Sequence, residues 1–97
     1  MAQYTLLWSP ESIDDVEKIY TYLFDINRYA ANKTDEEIET AALRLLDNPE
    51  LGVVRDDFRG RRLIVPSVSM IIFYEIEAPF IRIVRVLHQK QKYPSDT

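Results

Sequence analysis

The chain has no cysteine and only one histidine among its 97 residues. Without thiols there is neither a disulfide framework nor a thiolate metal site, and one imidazole cannot build a multi-histidine centre. Any metal would need carboxylates, and Asp14, Asp15, Asp35, Glu36, Glu37 and Glu39 are spread along two amphipathic segments rather than gathered as ligands. No metal and no cofactor are expected, since Walker, dinucleotide-binding and Ser-His-Asp signatures are all missing. Long apolar runs are missing too. The stretch 70–74 falls far short of the roughly 20 residues that span a bilayer, so no membrane partner is expected. The opening Met1-Ala2-Gln3-Tyr4 has no basic leader followed by an apolar segment, which points to the cytoplasm. Glycine is scarce as well: only Gly52 and Gly60 occur, both within one short segment.

The charge that is present is unevenly placed. Residues 1–50 hold 4 Lys+Arg against 11 Asp+Glu, and residues 51–97 hold 8 against 5, so −7 and +3 make up the net −4. A basic excess confined to the C-terminal half suits an acidic or anionic partner at one end of the molecule. The overall acidity argues against direct, sequence-specific nucleic-acid binding. Ordinary solvated charge explains the same distribution.

Residues 4–8 form a short β-rich apolar run. Ser9-Pro10-Glu11 then supplies an N-cap, a proline suited to the first helical position and an early acid. Ile13, Val16, Tyr20 and Leu23 recur at steps of three and four, widened by Ile19 and Ile26, and predict a core-facing stripe with Trp8 beside it. Asp14, Asp15, Glu17 and Lys18 are expected on the wet side. A second helix carries Ala30, Ile38, Ala41, Ala42 and Leu45 until Asn48-Pro49 stops it, with the break between helices somewhere in residues 25–34. Residues 49–60 read as a loop. The segments 61–65, 68–76 and 80–87 are rich in β-branched and aromatic residues, punctuated by Pro66-Ser67 and Ala78-Pro79, and predict three meandering strands. The expected architecture is α+β, in the order β-α-α-β-β-β, with a helical hairpin packed on a small sheet. Residues 1–97 form a single domain in this reading, with a flexible tail over 89–97.

In the middle strand Met70, Ile72, Tyr74 and Ile76 alternate with Ile71 and Phe73, so both faces of the sheet carry apolar side chains. Two helices cover one face only. The other calls for a partner or dimer contact, or for the loop or tail folding over it.

Three segments resemble a known family. Leu7-Trp8-Ser9-Pro10-Glu11-Ser12, followed by Ile19-Tyr20-Thr21-Tyr22-Leu23, is similar to the start of ParE/RelE toxins of bacterial toxin-antitoxin modules. Leu45-Leu46-Asp47-Asn48-Pro49-Glu50-Leu51-Gly52 resembles their helix exit, and Arg59-Gly60-Arg61-Arg62-Leu63 the basic lead-in to the next strand. Phe73-Tyr74-Glu75-Ile76 and Ile81-Arg82-Ile83-Val84-Arg85-Val86-Leu87-His88 resemble the paired closing strands. The resemblance covers nearly the whole chain and favours the ParE branch. RelE-type members cleave ribosome-bound mRNA with cationic and acid-base side chains. Where that pattern has an arginine ahead of the middle strand's Leu-Val-Tyr, this chain has Ile71, and where it has a basic residue just after the last strand, this chain has Gln89.

The ParE resemblance implies a toxin that binds DNA gyrase by protein contact and blocks replication, neutralised by a cognate antitoxin, as a homodimer or a toxin-antitoxin hetero-oligomer. The target-binding set is then Arg59, Arg61, Arg62, Arg82, His88, Lys90, Lys92 and Tyr93. Strand alternation puts Arg82 and His88 on one face and Arg85 on the other. The antitoxin would meet Met70, Ile71, Ile72 and Phe73 on the sheet, with Tyr20 and Leu23 on the hairpin. The alternative is a RelE-like ribosome-dependent endonuclease with Arg82, His88, Lys90 and Tyr93 as its catalytic set. A third reading is a superfamily member without toxicity that only binds an antitoxin.

Overall fold

In the computed structural model, residues 3–55 and 58–91 are described. Strand β1 (Thr5–Trp8) leads into helices α1 (Pro10–Ile26) and α2 (Arg28–Asp47), then into strands β2 (Val53–Arg55), β3 (Phe58–Val65), β4 (Met70–Glu77) and β5 (Phe80–His88). The sheet order is β1-β5-β4-β3-β2, with β1 parallel to β5 and the other pairs antiparallel. The α+β class and the helical hairpin stand as expected, with one strand more than the sequence suggested. That strand, β2, lies in the segment read as a loop, because the two glycines there serve close approach rather than chain breaking.

At Gly52 a Cβ would sit 2.7 Å from the Tyr74 ring, and at Gly60, where φ is +142°, it would sit 2.5 Å from the Tyr74 carbonyl oxygen. Only glycine lets both pieces of chain pack so near Tyr74. The Tyr74 hydroxyl donates to the Pro49 carbonyl (2.7 Å) and accepts from the Gly52 N–H (2.8 Å), pinning the helix exit to the sheet.

Asn27 alone joins the helices. Its N–H closes α1 on the Leu23 carbonyl, and its side-chain oxygen caps α2 by accepting from the Ala30 N–H at 3.2 Å. One residue doing both jobs turns the chain without glycine or proline.

Most of the helical contribution to the core comes from α2. Ile38, Ala41, Ala42 and Leu45 pack on Val65, Met70, Ile72, Tyr74, Ile81, Ile83 and Val86. Each fully buried Ile or Leu contributes about 1.5–3 kcal/mol. Helix α1 sits differently from the expected stripe. Its one buried residue is Ser12, Val16 and Ile19 are half-buried against the core, and Ile13 faces outward. The reason is local: the Ser9 cap orients the first turn so that the Ser12 hydroxyl reaches the Ser9 carbonyl at 2.8 Å.

A β-bulge shapes the last strand. Phe73 pairs with Arg85 and Tyr74 with Ile83, which leaves Val84 as an extra residue. Strand β1 ends at the Trp8–Ile83 pair, and beyond it α1 takes over the edge of β5. The Ser9 hydroxyl donates to the Val84 carbonyl (2.8 Å), and the Asp15 carboxylate accepts the Val86 N–H (3.0 Å) and a bidentate pair from Arg85. Asp15, expected in water, is instead the tie between helix and strand.

The second sheet face is buried at its centre, while Ile64, paired with Ile71, stays exposed. Ile71 and Phe73 are 7% and 3% exposed, clustered with Phe58, Leu87 and Val84, and the Phe58 ring stands edge-on to Phe73 at 5.2 Å. The expected antitoxin contacts Met70, Ile71, Ile72 and Phe73 are therefore all buried within the chain, and the β4 backbone is paired on both sides. Phe58 enters the sheet just ahead of the Gly60 kink, so an aromatic ring lies on the face that the sequence left bare.

Candidate functional site

An apolar opening lies between the helical hairpin and the edge strand β1. It is a groove of about 310 Å³ lined by Leu6, Trp8, Ile13, Val16, Ile38 and Leu43, with Glu17, Asp35 and Glu39 also on its wall. Three elements build it. The parallel pairing of β1 with β5 sets Leu6 and Trp8 beside Ile81 and Ile83, on the face that the helices cover. The outward turn of α1 presents Ile13, and the last turns of α2 present Leu43 from beside the buried Ala41, Ala42 and Leu45. Ile13 and Leu43 are 48% and 49% exposed, large apolar side chains with a free flank. Sequence reasoning placed Ile13 in the core and passed over Leu43. The available signal was that each lies one step away from its helix's buried row.

The basic residues do not form one patch. Arg82 is bound to Glu75 at 2.9 Å and to Glu77 at 3.4 Å. Burial works against its charge, but the hydrogen bonds and charges of the two carboxylates outweigh it and raise its pKa above the ordinary arginine value. His88 is half-buried opposite Met70, which is a core residue on the helix side, whereas Arg82 is opposite Glu75 on the other face. The expectation that Arg82 and His88 share a face is overturned, because the bulge at Val84 inserts one residue between them and shifts the alternation.

The imidazole of His88 is already engaged. Its Nδ1 accepts the Lys90 N–H at 3.1 Å, which places the ring proton of the neutral form on Nε2. The His88 N–H donates to Gln91 Oε1 at 2.8 Å, and its carbonyl accepts the Gln91 N–H at 2.8 Å. This histidine organises the turn that ends β5.

Arg61 braces the β2 approach by donating to the Gly52 and Glu50 carbonyls at 2.9 and 3.3 Å, with the Glu50 carboxylate at 3.4 Å. Arg62 is half-buried opposite Phe73, and its Nε has no hydrogen-bond partner among the described residues. Arg59 is exposed at the far end of β3 from Val65. Val65 and His88 both pair with Met70, so Arg59 lies about 20 Å along the strand direction from the His88 end. Lys90 is exposed just past β5. Lys92 and Tyr93 lie outside the described residues. On the hairpin, the Tyr20 hydroxyl donates to Asn32 Oδ1 at 2.8 Å while its ring stacks near Phe24, and Leu23 is half-buried. No described helix is long and apolar enough to cross a membrane.

The folding pattern defines a class. A chain of the solved structure titled "Chromosomal ParDE TA system from P. aeruginosa" matches with a TM-score of 0.78, over 91% of this chain and 98% of that one, at 20% identity. No curated protein sequence matches. The family model described as "ParE toxin of type II toxin-antitoxin system, parDE" matches residues 6–93, and the chain belongs to that family.

Proposed function

We propose that this ParE-type toxin acts by binding DNA gyrase in the cytoplasm and blocking replication, and that a cognate antitoxin neutralises it by seating a segment in the groove between β1 and the helical hairpin. The observation that carries the gyrase reading over mRNA cleavage is the separation of Arg82 from His88. A nuclease of the RelE kind needs a cation and an acid-base group converging on one phosphate. Here the guanidinium is held by two carboxylates on one side of the sheet, and the imidazole supports a backbone turn on the other. Inhibition by contact requires no such convergence. The whole chain acts as one domain, and the surface meeting gyrase is the C-terminal end of β5, with His88, Lys90, Lys92 and Tyr93. Arg61 and Arg82 keep structural roles.

The groove suits an antitoxin because a segment lying in it could cover exposed Ile13 and Leu43 and run beside edge strand β1 at once. Purified protein added to a gyrase supercoiling reaction tests the target: dose-dependent loss of supercoiling, with linear DNA from trapped cleavage complexes, is expected. Undisturbed supercoiling at high excess, together with positioned breaks in mRNA on programmed ribosomes, would replace this reading with the nuclease.

A further inference from the structure

Resting on the reading that an antitoxin segment occupies the groove, we infer that this segment carries lysine or arginine on the flanks of its apolar anchors, so that the toxin supplies the acid and the antitoxin the base. The floor of the groove is apolar, with Leu6, Trp8, Ile13 and Leu43. Its wall carries three carboxylates on two helices, Glu17 from α1 and Asp35 and Glu39 from α2. Among the described residues none of the three has a cationic partner. The one lysine of α1, Lys18, is held by Asp14 at 2.9 Å, and Arg85, which meets α1 from β5, is held by Asp15.

The imbalance extends past the groove. The two helices together carry ten acidic and four basic residues, a net of −6, which biases the potential around the hairpin toward negative. An apolar segment flanked by Asp or Glu would bring like charges together in a partly desolvated site, which strongly disfavours binding. A segment flanked by Lys or Arg gains both steering and pairing from the same carboxylates, and long basic side chains can lay their methylene stems along the apolar floor. The same charge argument disfavours a second copy of this chain docking hairpin to hairpin.

The test uses the full chain and its full-length cognate antitoxin. Calorimetric titrations compare the wild type with the triple variant Glu17→Lys, Asp35→Lys, Glu39→Lys at about 50 and 500 mM salt, where the Debye length falls roughly threefold. Glu17 and Glu39 are exposed and Asp35 is half-buried, and circular dichroism checks that the variant is folded. A second variant, Leu43→Glu, probes occupancy of the groove with the three wall carboxylates left in place. The expected result is that the wild type loses about tenfold in affinity at the higher salt, while the triple variant binds on the order of a hundredfold more weakly at low salt and differs little from the wild type at high salt.

Unchanged or tighter binding by the triple variant, with Leu43→Glu still impaired, would overturn the charge inference and leave the groove reading intact. Binding that ignores Leu43→Glu as well would place the antitoxin elsewhere and overturn both. If light scattering shows a dimer of the toxin alone that the triple variant dissociates, a second copy occupies the groove and the inference fails.

Discussion

The Asp15 carboxylate holds Arg85 through two hydrogen bonds, to Nε at 2.7 Å and to the terminal nitrogen at 2.8 Å, while accepting the Val86 N–H at 3.0 Å. Seventy positions apart in the chain, these two residues fasten α1 to the strand where the bulge breaks the ladder. Both side chains are largely shielded from water, so the pair is not a screened surface contact. Asp15→Ala should therefore cost about 2–4 kcal/mol, read as a lower urea midpoint, because it strips partners from a shielded guanidinium and from a backbone N–H. Asp14→Ala, one position away, breaks only the exposed pair with Lys18 and should move the midpoint little. Equal effects of the two would refute the assignment of Asp15 as the tie.

Tyr74 gives a stability signal with a definite pH direction. Burial raises its phenol pKa above the ordinary 10.0, and the Gly52 N–H only partly offsets this. A raised folded-state value means that the neutral phenol is favoured in the folded protein. That stabilisation is complete below the unfolded value near pH 10 and is lost as pH climbs through the folded one. Tyr74→Phe should cost about 1–3 kcal/mol at neutral pH, from the Gly52 N–H and Pro49 carbonyl left without their partner. Its stability should also fall less steeply than the wild type's in alkaline solution. Parallel melting curves from pH 8 to about 11 would contradict this.

The groove should separate binding from folding. Ile13→Glu and Leu43→Glu alter half-exposed positions, so chemical denaturation should shift by no more than about 0.5–1 kcal/mol. Each should nevertheless abolish rescue by the antitoxin in a growth assay, leaving toxicity in place. Rescue at wild-type efficiency by both variants would remove the groove from the antitoxin interface.

The C-terminal end supplies the test of target contact. A chain ending at Gln91 keeps the hydrogen bonds from His88 to Gln91 and from Gln89 to Ser69, so it should melt close to the full chain. It should fail to inhibit gyrase supercoiling, having lost Lys92 and Tyr93. His88→Ala loosens the turn without removing a catalytic group, so a residual inhibition that is weakened rather than abolished is expected. Full gyrase inhibition by the shortened chain would relocate the contact surface.

Several of these sites could not be read in one dimension. Arg85 and Asp15 look like ordinary solvated charges in their local patterns, since nothing in either window shows that a strand end lies against a helix start. Arg82 and His88 are six residues apart, and strict alternation puts them together; one inserted residue at Val84 undoes that, and a bulge has no clear composition in this strand. Gly52 and Gly60 carried a signal that was legible but ambiguous, because scarcity marks both a chain break and a close approach.

What the sequence determined by itself is what short-range sterics and periodicity enforce. The Ser9-Pro10 start of α1, the stop at Asn48-Pro49, the β-rich closing strands and the α+β class follow from local backbone preferences that survive in any compact arrangement. The tertiary structure alone decided which face each side chain serves: the burial of Phe73 beneath Phe58, the exposure of Ile13 and Leu43, the pairing of Asp15 with Arg85. Those depend on register and on which surfaces meet, and a single displaced residue reverses them, because the side chains of a strand repeat every two positions and those of a helix every three or four.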